Sequence, residues 1–204
     1  MIFHDVRQNT DEWLDLRLGK PTASKFGIIM ANEGKAFGDP AKDYALQIAL
    51  ELCTGKRAEF SFSNDHMERG HEQEPIALQL YEEQNFTEVR NGGFFDWIEY
   101  GDSPDGLVDD DGVVEIKSVT AKTHYANLRR KNFDPAYRWQ LIGHLDCTKR
   151  QWVDFVSYCS EFPEAKQLII YRLHRSQCES EIQRLNARRT RFLQMVKEVR
   201  KTIQ

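Results

Sequence analysis

No stretch of the 204 residues stays apolar long enough to cross a bilayer, for which a helix needs about 20 consecutive apolar residues. The opening Met1-Ile2-Phe3-His4-Asp5 lacks the basic region and apolar core of a secretory signal. A cytoplasmic protein with no membrane partner is therefore expected. The four cysteines, Cys53, Cys147, Cys159 and Cys178, are widely spaced with no Cys-x-x-Cys pair. They read as reduced, mostly buried thiols rather than a disulfide framework. His66 and His71 have no partner histidine or cysteine nearby, which argues against zinc. There are no internal repeats, low-complexity tracts or linkers, so the chain reads as one domain over residues 1–204, long enough for a sizeable core.

An excess of positive charge is also missing. The net charge is −4, which does not advertise nucleic-acid binding. Its distribution is uneven: residues 176–204 carry seven Lys/Arg against three Asp/Glu, leaving 21 against 29 in the first 175. Residues 121–138 hold Lys122, Arg129, Arg130, Lys131 and Arg138 against Asp134 alone. An acidic exterior with basic stripes suits a protein that meets DNA on an inner surface, and suits a plain charged surface equally.

What is present centres on residues 101–119. Gly101-Asp102-Ser103-Pro104-Asp105-Gly106-Leu107-Val108, an Asp-rich turn closed by Gly112, and Val113-Val114-Glu115-Ile116-Lys117 read as a β-hairpin. Period 2 places Val113, Glu115 and Lys117 on one face and Val114 and Ile116 on the other. With the turn centred on Asp110-Asp111, Gly106 would lie opposite Glu115 with Asp105 beside it. Two carboxylates close together repel unless a cation sits between them. Mg²⁺ suits all-oxygen ligands and keeps waters that can become nucleophiles. A lysine two residues on can orient or deprotonate that water and face charge building on a phosphate. Phosphodiester hydrolysis is the chemistry such a cluster serves, although on these residues alone an ordinary hairpin with a charged face is the commoner outcome.

Along the chain, residues 10–19 read as a short helix stopped by Gly19, with Trp13 packing and Arg17 one turn later. Residues 21–26 open a second helix, with Thr22 as N-cap. Residues 31–39 read as a loop, and residues 40–54 as an all-round apolar core helix capped by Asp39 and stopped by Gly55. Residues 64–84 form a third helical stretch interrupted at Pro75. There Glu74 is the one carboxylate on a stripe otherwise apolar or small, and Glu72 lies about 200° away around the helix. Residues 86–91 and 93–100 read as strands of one hairpin through Asn91-Gly92-Gly93. Residues 120–137 interleave cations with His124, Tyr125, Phe133 and Tyr137, suiting a surface that tracks a nucleic-acid strand. Residues 135–147 are helical and carry Gln140, residues 151–159 and 167–173 are strands, and residues 176–204 form one long helix. The order predicts an α/β or α+β fold with a mixed central β-sheet flanked by helices.

Ser103-Pro104-Asp105-Gly106 followed by Glu115-Ile116-Lys117 resembles the signature of the PD-(D/E)xK nuclease superfamily. Trp13/Arg17, Thr22-Ala23-Ser24, Glu74-Pro75 and Gln140 resemble further words of one branch, the phage lambda exonuclease family of YqaJ-like viral recombinases and alkaline exonucleases. All six arrive in family order between residues 10 and 172. The scattered cysteines do not match the iron–sulfur members of the superfamily. The resemblance implies a restriction-endonuclease-like core and a Mg²⁺-dependent 5′→3′ exonuclease, with two ions and Mn²⁺ as a substitute. It implies metal ligation by Asp105, Glu115, the Ile116 carbonyl and Glu74, with Lys117 handling the attacking water and Gln140 helping to position it. Arg17, Ser24 and Ser103 would hold the 5′-phosphate of a double-stranded DNA end. It further implies a ring-shaped homotrimer and a single-strand-annealing protein partner, in a bacterial or phage-infected cytoplasm. An endonuclease of the restriction or repair type and a DNA-binding protein on a retired nuclease fold remain the alternatives.

Overall fold

In a computed structural model, the backbone is described for residues 1–58 and 65–204, and the side chains of 65–71 are left aside. The readings of His66, Met67, Gly70 and His71 lie outside the described side chains. Among the described residues, no helix is long and apolar enough to cross a membrane.

The elements run β1 (Ile2–His4), α1 (Asp11–Arg17), a 3₁₀ turn (Ala23–Lys25) leading into α2 (Phe26–Met30), α3 (Asp39–Thr54) and α4 (Asp65–Asn85). Five strands follow: β2 (Val89–Asn91), β3 (Phe94–Asp96), β4 (Gly101–Asp102), β5 (Gly106–Val108) and β6 (Gly112–Ser118). The chain ends with α5 (Ala121–Arg130), α6 (Arg138–Thr148), β7 (Trp152–Tyr158), β8 (Leu168–His174) and α7 (Glu179–Ile203). The central sheet has the order β2-β5-β6-β7-β8, and β1-β3-β4 form a second, small sheet. β6 and β7 are parallel and the other strand pairs among the described residues are antiparallel, with one isolated parallel bridge between Thr22 and Gly101. This is the expected mixed sheet flanked by helices.

The sheet divides the core as the alternation of β6 demands. Val114 and Ile116 pack with Val156 against Ala77 and Tyr81 of α4. Val113 joins Val153 and Phe155 on the opposite face, under Leu141, Ile142 and Leu145 of α6. Glu115 and Lys117 share the face of Val113, which directs them toward α6. A parallel β6–β7 pair requires a long crossover, and α5 and α6 supply it. The crossover thus lays a helix over the strand that carries the carboxylate.

Several local expectations are corrected. β2 and β3 do not form a hairpin: they belong to different sheets, and Gly92-Gly93 is where the chain changes sheet. A Cβ on Gly92 would overlap the Pro104 carbonyl oxygen, and one on Gly93, at φ +58°, would overlap that of His4. The glycines therefore serve close passage of backbones, not a tight turn. α4 continues through Pro75. α3 begins at Asp39 with Gly38 as its N-cap, and Leu46 and Leu52 on it are exposed. Thr22 makes no capping hydrogen bond. On α7, Arg188 and Arg189 are buried: Arg188 donates to the carbonyls of Ile29, Ala31 and Lys35, and Arg189 to Asp146 at 2.8 Å. The basic stretch after β6 leaves only Tyr125 of its aromatic rings well exposed. His124 is fully buried, within 2.9 Å of Ser157 Oγ and 2.8 Å of the Lys166 carbonyl oxygen.

Candidate active site

The β5–β6 hairpin turns through three residues, Asp109 to Asp111, with Asp109 at φ +46°. The register pairs Gly106 with Val114 and Val108 with Gly112. That is one residue off the expected register, and it brings Asp105 level with Glu115. The turn itself is held by arginine. Arg150 Nη1 donates to the carbonyls of Val108, Asp109 and Gly112 at 2.9–3.1 Å, and Arg90 donates to the Asp109 carbonyl as well. The Asp-rich turn thus serves to shape the hairpin.

Asp105 is half-buried and its Oδ2 accepts from the Ile116 N–H at 2.7 Å. Glu115 is 1% exposed. Its Oε1 accepts from both Lys117 Nζ and Gln140 Nε2, and its Oε2 lies 2.9 Å from His144 Nε2, outside hydrogen-bond alignment. The His144 ring is completed by Asp102, whose two carboxylate oxygens stand 2.9 and 3.0 Å from Nδ1. His144 was not among the expected site residues. The signal for it was available: it follows Gln140 by four positions, which on a helix is the same face.

These neighbours set the charges. Burial and then the adjacent Glu115 push the Asp105 carboxyl up, with Glu74 adding to the rise. Burial also acts to raise Glu115, but Lys117 and His144 outweigh it and hold this carboxyl below its usual range. Burial favours neutral Lys117, yet Glu115 and Asp105 prevail and keep it an ammonium. For His144, burial is likewise outweighed by Asp102 and Glu115, and its pKa rises to about 10. With these neighbours Lys117 is held as a charged donor against Glu115. Its ammonium also sits 5.8 Å from the Tyr137 ring centroid.

Among the described residues, no three His, Cys, Asp or Glu side chains form a ready metal cage. The donor chemistry nonetheless fits Mg²⁺. Two carboxylates, Asp105 and Glu115, line one cleft, and Glu115 raises the cost of charging Asp105. Oxygen ligands few in number suit an ion that keeps several of its waters. Glu74, half-buried on α4, is close enough to act electrostatically on Asp105. The same helix meets β6 through Gln73, which accepts from Ser118 Oγ.

Arg17 stacks on Trp13, its guanidinium carbon 4.1 Å from the ring centroid. Trp13 Nε1 in turn donates to Ser103 Oγ at 2.7 Å, tying α1 to the segment that carries Asp105. Arg17 Nη2 donates to Thr22 Oγ1 at 3.2 Å, and Thr22 Oγ1 is 3.3 Å from Ser24 Oγ. Burial lowers the Arg17 pKa, with Asp102 partly opposing it; an arginine so shifted remains a cation at neutral pH. One open cleft is lined by Arg17, Ser24 and Ser103 together with Asp105, Glu115, Lys117 and Gln140. Seven of the eight expected side chains thus meet in one place, and Glu74 is the one outside its lining.

The chain is similar to known proteins. Residues 12–151 match the model of the YqaJ-like viral recombinase domain. The alkaline exonuclease LHK-Exo from Laribacter hongkongensis superposes with a TM-score of 0.81 at 30% identity, covering 95% of this chain and 98% of that one. A structure of LHK-Exo in complex with dAMP matches at 31% identity with the same TM-score and coverage. A phage-related exonuclease from Haemophilus somnus matches at 15% identity and a TM-score of 0.67 over 88% of this chain and 96% of that one, a likeness of fold. No curated protein matches.

Proposed function

Because the chain belongs to the YqaJ-like viral recombinase domain family, we propose that it is a Mg²⁺-dependent nuclease digesting one strand of linear duplex DNA from a 5′-phosphorylated end. The product would be a 3′ single strand suited to annealing. The observation that carries this reading is the single cleft shared by the Arg17–Ser24–Ser103 group and the Asp105–Glu115–Lys117 group. An end-recognising anion site beside a hydrolytic site makes the terminal nucleotide the one to be removed. The relative LHK-Exo has a structure in complex with dAMP, and a deoxynucleoside monophosphate is what such removal releases.

On this reading Asp105, Glu115, the Ile116 carbonyl and Glu74 hold Mg²⁺, with Mn²⁺ able to replace it. When bound, the ion supplies an acidified water and neutralises charge on the phosphate. Arg17 binds the terminal phosphate through its planar fork, with Ser24 and Ser103 donating from their hydroxyls. Lys117 places its ammonium where negative charge develops, and Gln140 holds the Glu115 carboxylate by its amide. Replacing Mg²⁺ with Ca²⁺ should leave DNA binding intact and suppress turnover, since Ca²⁺ accepts looser geometry. Gel-shift and nucleotide-release assays run side by side would show it. Rapid cleavage in Ca²⁺ would count against the metal role.

We propose in addition a ring-shaped homotrimer that hands its product to a single-strand-annealing partner. If a ring supplies processivity, a monomeric variant should keep cutting but dissociate early. Product lengths unchanged on loss of the trimer, followed by sedimentation, would remove that part of the reading.

A further inference from the structure

His144 is fully buried between two buried carboxylates on separate sheets: Asp102 on β4 and Glu115 on β6. Its position on α6 lets one ring span both, and nothing in the nuclease chemistry above uses it. The Glu115 carboxylate has a broad, soft terminal torsion. Lys117 and Gln140 both engage the same oxygen, Oε1. Tying one oxygen fixes a point and leaves the carboxylate plane free to turn about it. His144 stands at the other oxygen, and Asp102, with both oxygens on Nδ1, sets the tilt of the ring.

We propose that His144 is a positioning residue, oriented by Asp102, that fixes the plane of the Glu115 carboxylate and so sets the affinity for the divalent ion. The proposal deepens the nuclease reading and rests on it. Groups that orient a metal ligand from behind commonly carry 10–100-fold in metal affinity or activity. The competing role is purely structural: a histidine that offsets two buried acids and supports folding alone.

The test uses the full chain with His144→Gln, which can donate to one carboxylate but cannot bridge two. A second variant, Asp102→Asn, leaves the ring in place and removes its charged orienter. Mn²⁺ binding would be measured by calorimetry without DNA, a readout that also avoids the influence of Asp102 on Arg17. Folding would be checked by circular dichroism, and kcat and KM followed on phosphorylated ends. His144→Gln should weaken Mn²⁺ binding roughly 10- to 100-fold, with Asp102→Asn shifting it less in the same direction. In both, kcat should fall at limiting metal and recover as Mn²⁺ is raised, with KM for DNA unchanged. Folded variants that bind Mn²⁺ within twofold of the parent would overturn the proposal, as would a loss confined to KM. Failure of both variants to fold would assign the residue the structural role. A parent protein that neither binds Mn²⁺ nor cuts DNA would instead overturn the nuclease reading itself.

Discussion

Lys117→Ala is expected to slow strand cleavage by about a hundred- to ten-thousandfold while leaving DNA binding within a few-fold of the parent. That is the range removed with a positioned proton-handling or charge-stabilising group. The ammonium sits on Glu115 among the residues that line the cleft. Asp105→Ala should be at least as severe, because it removes one of two adjacent carboxylates and the acceptor of the Ile116 N–H. Lys117→Arg separates the roles. It keeps the charge but presents a planar fork in place of a compact ammonium, so partial rescue would point to charge stabilisation. Single-turnover release of labelled nucleotide, beside a gel shift in Ca²⁺, measures both quantities. Cleavage within tenfold of the parent in both alanine variants would place the chemistry elsewhere.

Arg17→Ala is expected to act on choice of end. Hydrogen bonds to charged groups contribute about 1.5–3 kcal/mol, so preference for a 5′-phosphate over a 5′-hydroxyl should fall roughly tenfold or more toward unity. Among the described residues, the Arg17 guanidinium makes one hydrogen bond, to Thr22, and most of its five donors remain for an anion. Its stack on Trp13, itself bonded to Ser103, holds the fork at the cleft. Arg17→Lys should fall between parent and alanine. Competition between phosphorylated and hydroxyl ends in one tube gives the ratio directly. An equal loss on both ends would mean that Arg17 supports the cleft without reading the phosphate.

The cleft residues were legible because their chemistry is local in the chain. Asp105, Glu115 and Lys117 lie on two strands joined by a short turn, and period 2 alone faces Glu115 and Lys117 the same way. What escaped depends on contacts far apart in the chain. Asn91-Gly92-Gly93 carries a hairpin pattern, but its glycines answer to the backbones of Pro104 and His4, which no local pattern reveals. The hairpin register slipped by one because Arg150 and Arg90 clamp a three-residue turn, and Arg150 is 41 residues from the carbonyl it holds at Asp109. His124 looked like part of a nucleic-acid surface until Ser157 and Lys166 claimed both ring nitrogens. His144 was passed over, because Asp102 and Glu115 come from two sheets to meet it.

The most direct measurement digests three forms of one uniformly labelled DNA with Mg²⁺: 5′-phosphorylated linear duplex, its 5′-hydroxyl twin and a closed circle. Rapid release of mononucleotides from the phosphorylated form, slower release from the hydroxyl form and an untouched circle are expected. A nicked or linearised circle would contradict end recognition and identify an endonuclease. Intact DNA in all three would identify a binding protein on a nuclease fold.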